Sequence, residues 1–110
     1  MKQAELWYAD LMPTRGSEQN GFRPVVIISG NALNDNTPIC IICPLTSQLK
    51  HYHGNVILAP NNTNCLKRKA EILTFHVRSV SKEQLKQKIG RISTIELQQV
   101  KNCLQDILRY

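Results

Sequence analysis

The chain has 110 residues, 42% of them hydrophobic and 5% aromatic, enough for one modest core and few rings to spare. Fourteen Lys and Arg against eight Asp and Glu leave a formal charge of +6, which favours polyanionic or acidic partners. No apolar run approaches the ~20 residues of a membrane span. The opening "MKQAELWYAD" also lacks the apolar centre of a signal peptide, so a soluble, cytoplasmic protein of one domain (1–110) is expected.

Residues 4–11, "AELWYADL", have the β-rich centre of a first strand, which Pro13 ends. The connection that follows, "PTRGSEQNGFRP", holds far more hydrogen-bonding side chains than a tight turn requires. "RPVVIIS" is β-branched and almost wholly apolar, a strand buried on both faces. "GNALNDNTP" is turn chemistry with a helical turn near residues 31–33, and "PICIICPLT" is a second central strand. "NVILAP" reads as a short strand and "AEILTFHVRSV" as a longer, bent one.

Ser81 and Gln84 stand at capping-box spacing, which predicts a single helical turn, and "KIGRI" reads as a short last strand. A second capping box, Ser93 and Glu96, opens the clearest helix. Leu97, Val100, Leu104, Ile107 and Leu108 form its apolar stripe, expected to pack on the core, a coiled-coil partner face being the other reading. Short strands and one terminal helix give a mainly β (α+β) fold, a small, strongly curved antiparallel sheet or partly open barrel carrying an amphipathic helix.

Function is narrower than composition. Neither a phosphate-binding GxxxxGK[ST] loop nor a G-x-S-x-G elbow is present, and the scattered carboxylates do not suggest a two-metal cluster. Cys40 and Cys43 satisfy CxxC spacing, but strand alternation sends them to opposite faces, so they read as buried free thiols, and neither metal nor cofactor is expected.

Arg23, fixed in extended conformation by Pro24, presents a permanent cation at the mouth of a buried strand, suited to a phosphodiester or its pentacoordinate transition state. The other reading of these residues is a strand-end Arg that reaches into solvent. Thr46 ends the other central strand; if the two strands pair, its hydroxyl and Arg23 converge on one phosphoryl group. An ordinary turn-forming Thr is its other reading. His51 and His53 could relay protons if the segment were extended, or could be surface histidines, and "LKRK" at 66–69 could hold phosphates or be a solvated loop.

Taken in order, "LWYADLMPTRGSEQNGFRPVVIIS", "CPLTSQ", "HVRSVSKEQL" and "KIGRIS", followed by the amphipathic helix, resemble the MazF/PemK family of toxin endoribonucleases over nearly the whole chain. The resemblance implies an SH3-like barrel with a C-terminal helix, acting as a homodimer under an acidic cognate antitoxin. It implies metal-independent cleavage of single-stranded mRNA by 2′-hydroxyl attack, leaving 2′,3′-cyclic phosphate and 5′-hydroxyl ends. Arg23 and Thr46 match the family's catalytic pair; Ser17, Glu18, Gln19, Gln48, His76 and Arg78 match positions that contact RNA.

Three departures stand out. Ala4 replaces a common Gly, Phe75-His76 a polar pair that often ends in Gln, and Ser81 a common Asp. The same implied fold also serves CcdB-type toxins that inhibit DNA gyrase by binding it, and a non-catalytic RNA-binding homologue is the remaining alternative.

Overall fold

The structure, a computed structural model, describes residues 1–11 and 21–110. Seven strands and two helices follow in the order β1 (Glu5–Asp10), β2 (Phe22–Ile27), α1 (Asn31–Asn36), β3 (Ile39–Thr46), β4 (Ile57–Leu58), β5 (Ala70–Ile72), β6 (Arg78–Ser81), β7 (Leu85–Arg91) and α2 (Thr94–Arg109). All strand pairs are antiparallel, in the spatial order β4-β5-β3-β2-β1-β7, with β6 also on β3.

β3 is the hub. One edge pairs with β2 (Val25 opposite Pro44, Ile27 opposite Ile42). The other edge is shared: β6 takes residues 39–42 and β5 takes Leu45 and Thr46. This sharing explains why "AEILTFHVRSV" is not one bent strand. The chain leaves β5, makes a 3₁₀ turn over Thr74–His76, and rejoins the same edge as β6.

The sheet curls until its ends meet through a loop. The Arg91 N–H donates to the Thr63 carbonyl at 3.1 Å. A Cβ on Gly90 would lie 2.5 Å from the Asn64 carbonyl oxygen, so only glycine admits this approach. The result is a curled, half-open antiparallel barrel with a C-terminal helix.

Both faces of the central strands are buried, as "RPVVIIS" implies: Val25, Val26 and Ile27 are all inaccessible to solvent. Val26, Cys43, Leu45, Leu58 and Ile72 form one core with Leu97 and Val100 of α2, while Val25, Ile27, Cys40, Ile42 and Val80 form the other. Cys40 and Cys43 therefore do face opposite ways. Burial, with Cys103 nearby, pushes the Cys43 thiol up to about 12, so it remains protonated and inert.

Both capping boxes form. Ser81 Oγ accepts from the Glu83 N–H beside the Lys82–Gln84 turn, while Gln84 Oε1 accepts from the Ser81 N–H; Ser93 and Glu96 cap α2 in the same reciprocal way. The stripe on α2 is buried only in its first part. Leu97, Val100 and Cys103 are covered, whereas Ile107 and Leu108 are 43% and 78% exposed. Ala4 has φ of +78°, which accounts for a preference for Gly there: the left-handed conformation strains a Cβ-bearing residue.

Candidate functional site

A groove of about 600 Å³ opens at the end of β3 where Thr46 lies. Its walls include Tyr8 and Pro24, which are paired across β1 and β2, and its floor includes Leu45, Ala70 and Ile89. Thr46 and Ser47 form one rim, and Lys67, Arg68 and Lys88 bring positive charge to the others. The "LKRK" segment is thus part of the groove. Lys88 Nζ is also 3.1 Å from Glu5 Oε2. Burial alone would raise the Glu5 pKa, but the Lys2 N–H, the Trp7 indole and Lys88 together hold it below its ordinary value.

Thr46 has a defined orientation. Its Oγ1 accepts the Gln48 backbone N–H at 3.1 Å, so the hydroxyl proton can be directed to another acceptor. Gln48 is exposed in the bend just beyond. Continuing the β2–β3 register outward from Val25–Pro44 by two residues sets Arg23 opposite Thr46, at matching ends of neighbouring strands. Arg23 is partly buried and paired with Ala9, and unlike its neighbour Pro24 it does not line the groove.

The remaining expected residues divide. Ser17, Glu18 and Gln19 lie outside the described residues. Arg78 is exposed at the start of β6, opposite Ile42, and His76 is exposed in the turn before it. Both belong to the β3 edge away from β2, where Arg78 lies four residues along β3 from Thr46 and Glu71 is the residue opposite Thr46. His51 and His53 do not form an extended same-side pair: His51 has φ of +54° within a compact turn, and both side chains are exposed.

Glu71, directly opposite Thr46 in the β3–β5 register, is a residue that sequence reasoning passes over. It is fully buried, and its carboxylate accepts from three successive backbone N–H groups: Lys50 at 2.6 Å, His51 at 2.8 Å and Tyr52 at 3.0 Å. Asn55 Nδ2 donates a fourth bond at 2.9 Å. Burial by itself would raise this carboxyl's pKa; the four donors outweigh it and hold the group below its ordinary value. The available signal was a lone acid in the apolar run "AEIL", since a charge buried in a strand requires partners.

The loop so fixed carries Tyr52, whose ring meets Phe75 edge-on at 5.1 Å between centroids, and Phe75 in turn lies 4.6 Å from the His76 ring. The contacts across 23 positions of sequence, from 52 to 75, leave no local pattern to read. Tyr8, Gln87 and Lys88 of the groove are likewise joined only by the β1–β7 pairing.

The profile of PemK-like, MazF-like toxins of type II toxin-antitoxin systems matches residues 2–108. Endoribonuclease MazF9 of Mycobacterium tuberculosis is 31% identical over 96% of this chain and 93% of its own length. Endoribonuclease MazF of Staphylococcus saprophyticus is also 31% identical, over 94% and 88% respectively. The crystal structure of MazF from Deinococcus radiodurans superposes with a TM-score of 0.80 at 26% identity, covering all of this chain and 97% of that one. The curled sheet, its C-terminal helix and these matches agree, and the chain belongs to the PemK-like, MazF-like toxins of type II toxin-antitoxin systems.

Proposed function

We propose that this toxin is a single-domain, metal-independent endoribonuclease that cuts single-stranded mRNA at short sequences. The observation that supports the reading is the β2–β3 register, which, continued two residues past Val25–Pro44, sets Arg23 opposite Thr46, with Thr46 itself on the rim of a basic groove. The ribose 2′-oxygen attacks the adjacent phosphorus as the bond from phosphorus to O5′ breaks. The net proton passes from O2′ to O5′, and the products are a 2′,3′-cyclic phosphate and a 5′-hydroxyl. Arg23 neutralises the charge that builds on the pentacoordinate phosphorus, and Thr46 donates its hydroxyl proton to a phosphoryl oxygen. Gln48, His76 and Arg78, with Ser17, Glu18 and Gln19, hold the flanking nucleotides.

The basic groove also suits an acidic antitoxin segment, and the toxin acts as a homodimer. Both readings draw on the family and on the +6 charge.

Purified protein should cut a long mRNA in EDTA and leave 5′-hydroxyl ends. Arg23→Ala should lower the rate by at least about 10²-fold, the loss typical of one transition-state donor. Unaltered cutting by Arg23→Ala would refute the mechanism. Inhibition of gyrase supercoiling without RNA cleavage would replace it with the protein-binding alternative.

A further inference from the structure

We propose that Glu71 is a positioning residue for the cleavage reaction: it clamps residues 47–49, which follow Thr46, so that the Thr46 hydroxyl is aimed before RNA binds. The inference rests on the nuclease reading and adds to it the device that orders its hydroxyl donor.

Glu71 holds both ends of this short span. Its backbone stands opposite Thr46 in the β3–β5 register, so the point where the chain leaves β3 is fixed on β5. Its carboxylate takes hold of the chain again at Lys50, His51 and Tyr52, whose N–H groups it accepts. Residues 47–49 therefore bridge two anchors on the same residue. Ser47 and Gln48 are exposed and lie beyond the end of β3, so the sheet itself does not order them. A span this short, pinned at both ends, has few conformations left to it.

The order matters at one atom. The Gln48 N–H, in the middle of the span, donates to Thr46 Oγ1 at 3.1 Å. A hydroxyl has a single proton and two lone pairs, so engaging it as an acceptor from the span leaves its proton for a group in the groove, whose rim Thr46 forms. Loosening residues 47–49 lets Oγ1 turn among its staggered rotamers and its proton point elsewhere. A donor aimed in advance stabilises the developing phosphoryl charge without reorganising during the reaction.

The clamp needs a carboxylate and is itself held firmly. Lys50 and His51 donate to Oε1 of Glu71, and Tyr52 and Asn55 donate to Oε2. Only an ionised carboxylate accepts on both oxygens; the amide of Gln would set a donor against two of these donors. Glu71 is fully buried, and Asn55 ties it to α2 by accepting from Cys103 Sγ at 3.5 Å. The span after Thr46 is thus anchored to the core rather than to solvent-exposed groups.

The test is a double-mutant cycle on a short RNA that spans one mapped cut site. It is read as single-turnover rates at saturating protein, which report the chemical step, where circular dichroism shows each variant folded. Glu71→Gln should lower the rate about tenfold and move the half-saturating protein concentration by less than about twofold, because the donor acts in the transition state. Thr46→Val, which keeps the shape without the hydroxyl, should lower the rate about 10²-fold. Adding Glu71→Gln to Thr46→Val should cost nothing more. A phosphorothioate at the scissile phosphate, one diastereomer at a time, gives a second readout. Sulfur at the oxygen that Thr46 serves should slow the wild type, and that slowing should shrink in Thr46→Val and in Glu71→Gln alike.

Asn55→Ala removes one donor and leaves Glu71 in place; it should act in the same direction by a smaller factor, and it takes the place of Glu71→Gln in the cycle if that variant does not fold. An unchanged rate in folded Glu71→Gln, or losses that multiply in the double variant, would overturn the inference and leave the nuclease reading standing. A wild-type rate in Thr46→Val would overturn it by removing the donor's role. Failure of the wild-type protein to cut RNA would overturn both readings.

Discussion

Residues 47–56, which lead into β4, take their shape from a side chain on another strand; residues 59–66, which leave β4, take theirs from their own amides. In the first, Glu71 of β5 gathers four donors. In the second, Asn61 Oδ1 accepts from the N–H groups of Thr63 and Asn64, while Asn64 Oδ1 accepts from those of Asn61 and Leu66. Asn64 Nδ2 also donates to the Ala59 carbonyl at 2.8 Å. Both solve the same problem, the pairing of backbone N–H groups in a segment with no strand partner. The first makes a loop's geometry depend on a distant charge, and the second makes it local and neutral.

The comparison breaks most readily at Glu71. Glu71→Gln turns one acceptor oxygen into a donor that faces the Tyr52 N–H and the Asn55 amide. It should cost about 2–3 kcal/mol in urea unfolding, with loss of amide protection confined to residues 50–55. Gly90→Ala tests the second loop from outside, because the new methyl collides with the Thr63 and Asn64 carbonyls. A loss of about 1–3 kcal/mol is expected, read as a lower urea midpoint.

Acid should separate the loops further. The folded Glu71 carboxyl lies below its ordinary value of 4.5, so its stabilising contribution is complete above that pH and disappears as pH falls through the lower folded-state value. Hydrogen exchange at Lys50, His51 and Tyr52 should accelerate in that range before exchange at Asn64 and Leu66 does. Equal acceleration in both loops would remove the distinction. The smallest effect is expected away from both loops: Ala4→Gly relieves the φ of +78° and should raise stability by up to about 1 kcal/mol in the same urea assay.

The contrast also marks what the sequence could reveal. Ser81 with Gln84 and Ser93 with Glu96 are three apart, so both caps could be read directly. Unbroken apolar runs announced β2 and β3 as doubly buried strands, and their ends directed attention to Arg23 and Thr46. The split of β5 from β6 was hidden because "AEILTFHVRSV" has strand composition throughout; only the shared edge of β3 forces the turn at Thr74–His76. Ile107 and Leu108 keep the helical period but stay exposed. Glu71 and the two rings it helps bring together were hidden for a related reason: their partners lie 16 to 23 positions away in the chain. Periodicity reports which face of an element is apolar, and it carries no information about which distant loop a single side chain will collect.

The β1–β7 pairing has a consequence for how the toxin comes into being. Glu5–Asp10 lies between β2 and β7, and its second partner, Leu85–Arg91, belongs to the far part of the chain. At about 5–20 residues per second, a ribosome works for several seconds after releasing the first strand before the last one exists. During that interval β1 has an open edge, and the groove lacks the lining that Gln87, Lys88 and Ile89 provide. The order of synthesis therefore delays a complete sheet, and the groove built on it, until Leu85–Arg91 has been made.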